Sequence, residues 1–356
     1  MTIAQAVKTE AVAAGGGRTP RVFWIDFAKA FGIILVCLGH TIGGLRIDRI
    51  GADLEFYNFL RALIYTFHMP LFFFLSGVLT GFRPSTSVGG FIRSSVVGLI
   101  LPYVLWSVVF VFVQNAFSGA VNAATPYSDL AQMWWKPIGL FWFFYALFVA
   151  RAVYFVAMAL FGRSGMTAAF MAFAALYGLS FAGLTDFNSI LMGGSFFGLG
   201  VLAAPLLSRA PDRRVLIAAL LAATAAWAVL AVATLDPATP RPLWVAAAIA
   251  GIAMTVAASR LVPAPNGSVL GGLALIGQAS MAIYVAHVMF SATVRAVLYK
   301  AGVYDATLHV VLATAAGVIG PVVLFVLANR AGLAPFVGFG STQKSLYGAP
   351  LFGRVG

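Results

Sequence analysis

Long apolar segments follow one another along most of the chain, and their length constrains the fold more than any other feature. A helix needs about 20 predominantly apolar residues to cross the hydrocarbon core of a bilayer. Ten such segments can be placed, at about 22–45, 56–82, 91–117, 139–161, 166–184, 188–208, 214–235, 242–262, 269–298 and 306–330. The sequence therefore predicts an all-α, polytopic membrane protein with about ten transmembrane helices in a single bundle.

Composition and the terminal regions agree with this prediction. Hydrophobic residues make up 62% of the 356 residues and charged residues 9%. A soluble domain has about 45–50% apolar residues and about 25% charged residues. Residues 1–21 lack the sustained apolar stretch of a signal peptide, so we expect a flexible cytoplasmic tail there. Residues 22–330 then form the membrane domain, and residues 331–356 form a second cytoplasmic tail.

The distribution of charge predicts the orientation in the membrane. With the N-terminus inside, the cytoplasmic tails and loops carry 13 Lys and Arg against two acidic residues, and the opposite side carries seven of each. Cytoplasmic loops are normally the ones enriched in Lys and Arg. The pattern indicates a membrane protein with both termini cytoplasmic. The net charge of +12 thus reflects topology, and we predict no nucleic-acid partner.

Asp26, Lys29, His40 and His68 are ionisable residues that lie within the first two segments. Such residues are costly at membrane depth and by default mark a working site. Asp26 and Lys29 share a helix face, either as an ion pair that anchors the helix or as functional groups. His40 lies about 21 Å further along an ideal helix, so a site shared with Asp26 requires a helix break.

Two sequence features concern the course of the helices near the histidines. Gly39, Gly43 and Gly44 offer a place for a break beside His40. Pro70 removes a backbone donor and opposes the carbonyl of Thr66, so the second segment should kink beside His68. That position is close to the bilayer midplane if the segment enters near residue 56.

Three further residues have two interpretations each. Arg151 lies about ten residues into the fourth segment and either orients a donor near mid-membrane or extends to an interface. His287 either has a structural or supporting role, which the sequence favours, or acts directly. Cys37, the single cysteine, is a small buried hydrophobe rather than a nucleophile.

Several motifs form a recognisable set. They are Asp26-x-x-Lys29, Leu38-Gly39-His40, the run from Phe67 to Gly77, Leu101-Pro102-Tyr103 with Trp106, Phe141-Trp142-Phe143 and Tyr284-x-x-His287. Together they resemble the acyltransferase 3 family of membrane acyltransferases, in particular the branch similar to fucose 4-O-acetylases and exopolysaccharide acetyltransferases. The resemblance covers roughly residues 21–330.

The resemblance implies an activity and a donor. Such proteins take an acyl group, usually acetyl, from cytoplasmic acyl-CoA and place it on a hydroxyl of a sugar or lipid-linked glycan. His40 corresponds to the histidine of the first helix on which transfer depends, and Asp26 to the acidic residue near the start of that helix. Arg93 retains one basic residue of the donor-binding cluster, whereas Val97 and Gly98 occupy its other positions.

We therefore predict a membrane O-acyltransferase that uses acetyl-CoA and no metal. His40 is the predicted base or acyl carrier, supported by His68 and Asp26. Arg93, Lys29 and Arg151 are the predicted donor-binding residues. The rival hypothesis is a secondary transporter or glycan exporter that uses buried His and Arg side chains as a proton or anion path, although no internal symmetry of such a transporter is visible.

Overall fold

The structure is a computed structural model that describes residues 22–46, 50, 54–85, 87–117, 124–183, 187–263 and 268–339. In this part of the chain the secondary structure is helical, without strands. The predicted tail 1–21 and residues 340–356 of the second predicted tail lie outside the described residues. The helices are α1 (Phe23–Gly43), α2 (Glu55–Tyr65), α3 (His68–Phe82), α4 (Val88–Ser95), α5 (Leu101–Ala116), α6 (Asp129–Gln132), α7 (Trp142–Ser180), α8 (Asn188–Leu207), α9 (Arg213–Ala233), α10 (Arg241–Leu261), α11 (Ser268–Gln278), α12 (Ser280–Lys300) and α13 (Ala306–Arg330).

Nine stretches of the described residues are helical, long and apolar enough to cross a bilayer. This confirms the all-α, multi-pass membrane fold. One stretch, Gly139–Ser180, has 42 residues and contains a sharp reversal. Gly162 has φ 63° and ψ −142°, a conformation open mainly to glycine, and the ring of Tyr154 stacks on that of Phe173 at 5.9 Å. The stretch is therefore two antiparallel helices, as the predicted boundary between the fourth and fifth segments requires.

The second segment breaks where Pro70 predicts. Helix α2 ends at Tyr65, Phe67 has φ −140° and ψ −16°, and α3 begins at His68. Pro70 has no N–H to donate to the carbonyl of Thr66, so an unbroken helix would leave that carbonyl without its usual partner. The break changes the direction of the chain at His68 and places this residue at the site described below.

The break that a site shared by Asp26 and His40 would require does not occur, because α1 is continuous from Phe23 to Gly43. Its glycines instead make room for side chains of other helices. A Cβ on Gly39 would lie 2.6 Å from Cε1 of Tyr65, and one on Gly43 would lie 3.2 Å from Nη1 of Arg61. The missing side chains let α2 approach α1 closely beside His40.

Helices α3 and α8 pack backbone to backbone through small residues. A Cβ on Gly77 would overlap the carbonyl of Phe197 and lie 3.0 Å from the backbone N of Val201. A Cβ on Gly200 would likewise lie 2.9 Å from the backbone N of Val78. Small residues at such crossings allow close van der Waals contact, which drives helix association in a bilayer. This crossing fixes α3, and with it His68.

We expect Gly77→Leu to separate α3 from α8 and to destabilise the protein strongly. Overpacking costs about 1–3 kcal/mol when side chains can give way, and here the obstacle is backbone. The measurement is thermal unfolding and size-exclusion behaviour of the purified protein. Gly272→Leu is the control, because a Cβ at Gly272 of α11 meets no atom within 4 Å. Equal melting temperatures for the two variants would contradict the packing argument.

Residues 331–339 pack back on α5. Trp106 Nε1 donates a hydrogen bond to the carbonyl of Val337 at 3.0 Å, and its ring stacks on Phe339 at 5.6 Å. The hydroxyl of Tyr103, one turn earlier on α5, donates to the carbonyl of Met133 in the segment before α7. The tyrosine and tryptophan of the Leu101-Pro102-Tyr103 motif thus hold two non-helical segments against the bundle.

Candidate active site

Three histidines from three helices come together. The rings of His40 on α1 and His287 on α12 have centroids 5.1 Å apart. The ring of Tyr65 lies between His40 and His68, at 6.3 Å from the first and 4.8 Å from the second. We call His40, His68 and His287 the histidine cluster. The sequence analysis pointed to the first two members and favoured a structural or supporting role for the third.

Backbone carbonyls fix the tautomers of two cluster members. Nδ1 of His68 lies 3.0 Å from the carbonyl oxygen of Ile64, which α2 presents at its broken end. Nδ1 of His287 lies 2.9 Å from the carbonyl oxygen of Ile283 and 2.8 Å from that of Tyr284. Carbonyl oxygens only accept hydrogen bonds, so Nδ1 carries the proton in both residues. The lone pair of each neutral imidazole is therefore on Nε2, ready to accept a proton.

Two members of the cluster have unused hydrogen-bonding capacity. Nε2 of His287 is fully buried and has no hydrogen-bond partner among the described residues. The imidazole of His40 makes no hydrogen bond to a described residue either, and it borders a cavity. Leaving a buried polar group unpaired costs about 1–3 kcal/mol. Such groups call for an explanation, and a catalytic role is one of the accepted ones.

The histidine cavity, bordered by His40 and His68, has a volume of about 600 Å³. That volume is within the range of about 300–1,000 Å³ found for small-molecule sites. Trp142 and Trp244 contribute indole rings to its wall. The first residues of α8 and α10, Asn188 and Arg241, also border it, and the sequence assigns both helix starts to the non-cytoplasmic side.

Tyr284 closes one side of this cavity. Its hydroxyl donates a hydrogen bond to the carbonyl of Leu140, just before α7 begins. Its ring packs against Phe143 and Phe144 at 5.4 and 5.3 Å. Tyr284 therefore ties α12 to the start of α7, and one turn further along α12 the chain places His287 beside His40.

Two arginines that sequence reasoning missed lie next to the cluster. The charges of Arg61 and Arg295 both act on His40. The Arg61 guanidinium lies 5.4 Å from the centroid of the Tyr65 ring, and the Arg295 guanidinium fills the space over Gly44. The charge count placed both residues on the outer side as topology signals. The position of Arg295 inside an apolar segment, eight residues after His287, was the available signal.

Asp26 and Lys29 lie at the other end of α1. Asp26 is buried beneath α11, and a Cβ on Gly277 would lie 3.0 Å from its Cα. Because α1 is unbroken, the 14 residues between Asp26 and His40 correspond to about 21 Å. The structure therefore does not bring Asp26 together with the histidine cluster. Lys29 is half-buried one turn further along the same end of the helix.

Arg151 borders a second cavity, the arginine cavity, of about 300 Å³. Its Nη2 donates a hydrogen bond to Oγ of Ser94 at 3.0 Å. Arg83 and Ser85, which belong to a loop predicted to be cytoplasmic, border the same cavity. Arg151 therefore shares a cavity with residues of a predicted cytoplasmic loop, which favours its interpretation as a side chain that extends to an interface. Partial burial lowers the pKa of the Arg83 guanidinium.

Arg93 stands apart from this cavity. It is exposed on α4, next to Ser94, and does not border the space that Arg151 and Arg83 share. Of the predicted donor-binding residues, Arg151 is thus in a cavity wall, Arg93 is on the surface beside it, and Lys29 is on α1. In the described part of the chain, no group of three or more His, Cys, Asp or Glu side chains could hold a metal ion.

Helix α3 connects the two cavities. Its first residue, His68, borders the histidine cavity, and Thr80 near its other end borders the arginine cavity. Twelve residues of helix span about 18 Å. Between these ends, the Phe73 ring packs against Phe143 at 4.7 Å and against Trp142 at 6.1 Å. Aromatic side chains therefore pack along α3 between its two ends.

The fold and the site define a multi-pass membrane protein with a buried imidazole cluster. The family model for the acyltransferase domain matches residues 22–326, which is most of the chain. The chain therefore belongs to the acyltransferase 3 family and is a membrane acyltransferase, as the sequence motifs implied. Family membership favours the enzyme over the transporter of the rival hypothesis.

Two similar proteins are both described as nodulation protein NolL. The protein of Mesorhizobium japonicum is 30% identical over 137 residues, which cover 38% of this chain and 35% of the relative. The protein of Sinorhizobium fredii is 32% identical over 136 residues, which cover 37% and 35%. The chain thus aligns with about a third of the length of these relatives. No solved structure gives a significant match.

Proposed function

We propose that this enzyme transfers an acetyl group from cytoplasmic acetyl-CoA to a hydroxyl of a surface or lipid-linked carbohydrate. One observation carries the proposal: two members of the histidine cluster border a cavity at one end of α3, and two arginines border another cavity at the other end. The enzyme would lie in the bacterial inner membrane with both termini cytoplasmic, as the Lys and Arg distribution favours.

The arginine cavity is the proposed entry for the donor. Guanidinium groups bind phosphates through paired N–H donors, and coenzyme A carries several phosphates. Arg83 and Arg151 both border the cavity, and the exposed Arg93 adds positive charge beside it. Lys29, at the same end of the bundle by its place on α1, is proposed as a further contact. The thioester arm would then extend along α3 toward His68.

The histidine cavity is the proposed place of transfer. In the direct route, a neutral imidazole takes the proton of the sugar hydroxyl as its oxygen forms a bond to the thioester carbonyl carbon. The C–S bond then breaks, and the CoA sulfur receives the proton from the imidazolium. In the carrier route, an imidazole nitrogen attacks first, CoA leaves as the thiol, and the hydroxyl takes the acetyl group from the acyl-imidazole.

Positive charge beside the cluster suits either route. Each route passes through a tetrahedral carbon that carries an oxyanion, and fixed charges aimed at it lower the barrier. Arg61 and Arg295 supply such charges next to His40. The indole rings of Trp142 and Trp244 provide apolar faces for a sugar ring, and Asn188 and Ser189 offer polar groups for its hydroxyls.

The test uses purified protein in nanodiscs with radiolabelled acetyl-CoA and a panel of free and lipid-linked glycans. We expect CoA release together with acetyl transfer to one of these acceptors. The labelled product should lose its acetyl group on mild alkaline treatment, as an O-acetyl ester does. If CoA is released with none of the acceptors and the fold is intact, the proposed function is wrong.

We expect Arg151→Ala to raise the KM for acetyl-CoA about tenfold, a loss of about 1.4 kcal/mol, with little change in kcat. The reason is that Arg151 binds the donor far from the reacting atoms, so it contributes equally to ground-state and transition-state binding. Steady-state kinetics with varied acetyl-CoA provides the measurement. Arg163→Ala is the control, since Arg163 is exposed just after the reversal at Gly162 and does not border the arginine cavity. A fall in kcat alone would count against donor binding by Arg151.

A further inference from the structure

An apolar groove lies directly beside the histidine cavity. It is formed by the second half of α7, by α8 and by the start of α10, and its volume is about 290 Å³. Almost all of its lining is aliphatic or aromatic, with Phe170, Leu199 and Ile249 among the contributors. No described side chain fills it at Gly178, where a Cβ would meet no atom within 4 Å.

The groove and the histidine cavity share a wall. Tyr177, Phe181, Phe196 and Val245 border both spaces. A ligand with a polar head and an apolar chain could therefore place its head near the histidines and its chain in the groove. This continuity distinguishes the groove from an ordinary lipid-facing depression, because its occupant is held at the mouth of the site.

A positive charge marks the junction of the two spaces. Arg241 borders the histidine cavity, and the next residue, Pro242, borders the groove. The charge of Arg241 also acts on Tyr177, one of the shared residues. A guanidinium at this point is suited to an anionic group such as a phosphate between the head and the chain.

The size of the groove fits one chain. A water molecule takes about 30 Å³ of liquid volume and a methylene group is of similar size, so about 290 Å³ has room for about ten chain carbons. Glycerophospholipids carry two chains, whereas a polyprenyl phosphate carries one. The volume therefore favours a carrier with a single chain.

We propose that the acceptor is a glycan carried on a polyprenyl phosphate, whose chain lies in this groove and whose phosphate binds Arg241. The inference deepens the proposed function and rests on it for the identity of the reaction. The bound chain would present the sugar to the histidine cluster from the non-cytoplasmic side. Tethering of this kind replaces a bimolecular encounter by a held geometry, which favours transfer.

The test is photolabelling in nanodiscs with polyprenyl phosphate that carries a diazirine on its chain. Labelled peptides should come from the groove, within residues 170–181 and 242–249. Gly178→Leu should lower this labelling at least about tenfold by filling the groove, whereas Gly272→Leu should not. Arg241→Gln should weaken labelling by the phosphate but not by the uncharged polyprenol. The folding of each variant is checked by size-exclusion chromatography and thermal unfolding.

Three outcomes would overturn the inference: labelling spread evenly over the bundle, equal labelling of the groove by a two-chain phosphatidic acid probe, or undiminished labelling of folded Gly178→Leu. CoA release from acetyl-CoA is measured in the same preparations. Groove labelling without CoA release would refute the proposed function and leave the binding site standing. His40-dependent CoA release without groove labelling would refute the groove alone.

Discussion

His40→Ala should reduce acetyl transfer by about 10²–10⁴-fold, the usual contribution of a positioned acid–base group, and by more if His40 carries the acyl group. Its imidazole borders the histidine cavity and is 5.1 Å from that of His287. It makes no hydrogen bond to another described residue, so its loss should leave the fold intact. The measurement is CoA release and transfer of labelled acetyl at saturating donor, alongside the melting temperature.

Cys37→Ala is the matched control for this variant. Cys37 lies one turn before His40 on the same helix, is buried, and contacts the carbonyl of Gly317 through its sulfur at 3.7 Å. As the single cysteine, it is also the one thiol that could compete as an acyl carrier. We expect Cys37→Ala to keep its activity within a few-fold. Full transfer activity in folded His40→Ala would show that His40 is neither base nor carrier.

The same variant separates the two chemical routes. A single turnover with radiolabelled acetyl-CoA, quenched before acceptor is added, should leave label on the protein if an acyl-imidazole forms. In the carrier route that label is absent from His40→Ala and disappears when acceptor is supplied. In the direct route no label remains on the wild-type protein, although transfer with acceptor present still depends on His40.

Local rules accounted for much of the fold. A segment must be long enough to cross the bilayer, and in lipid it must satisfy its own backbone hydrogen bonds, which a helix does. Proline chemistry then located the break between Tyr65 and His68. The reversal at Gly162 falls between the predicted segments 139–161 and 166–184 because a tight turn between two helices favours glycine.

Local rules failed where the position of a residue depended on contacts with neighbouring helices. The glycines beside His40 had two physical meanings, a weak point in the helix or space for a neighbour. The side chains of Tyr65 and Arg61 on α2 occupy the space beside these glycines, which supports the second meaning. The place of Arg151 stayed open between two interpretations for a related reason. Its contact with Ser94 of α4 and the residues that share its cavity come from other parts of the chain.

The prediction of the site was incomplete for the same reason. His40 and His68 stood out because each lies within a specific motif, but the contact between α1 and α12 joins residues almost 250 positions apart and leaves no local pattern. His287 was therefore given a structural or supporting role. Its two carbonyl contacts fit that role, and its unpartnered Nε2 beside His40 fits a direct one. The supporting role depends on Nδ1, and the direct role depends on Nε2.

His287→Asn separates these roles. The amide nitrogen of asparagine can take the place of Nδ1 and donate to the carbonyls of Ile283 and Tyr284, but nothing then stands where Nε2 was. We expect this variant to fold with nearly the wild-type melting temperature and to lose about 10²–10⁴-fold in kcat. His287→Gln places its amide near the Nε2 position and gives up the carbonyl contacts. Since an amide is no base near neutral pH, it should be inactive and less stable.

Together, the two variants distinguish a supporting role of His287 from a direct one. If the Nδ1 contacts were the whole function of His287, the asparagine variant would keep its activity and the glutamine variant would lose it through misplacement of α12. If Nε2 is the working atom, both variants lose activity while only the glutamine variant loses stability.

The same comparison applies to His68, whose Nδ1 lies 3.0 Å from the carbonyl of Ile64. There, too, asparagine keeps the donor at the break between α2 and α3 and removes Nε2. The ordering of the two asparagine variants by kcat would then show which histidine works with His40, because the member nearer the reacting atoms loses more.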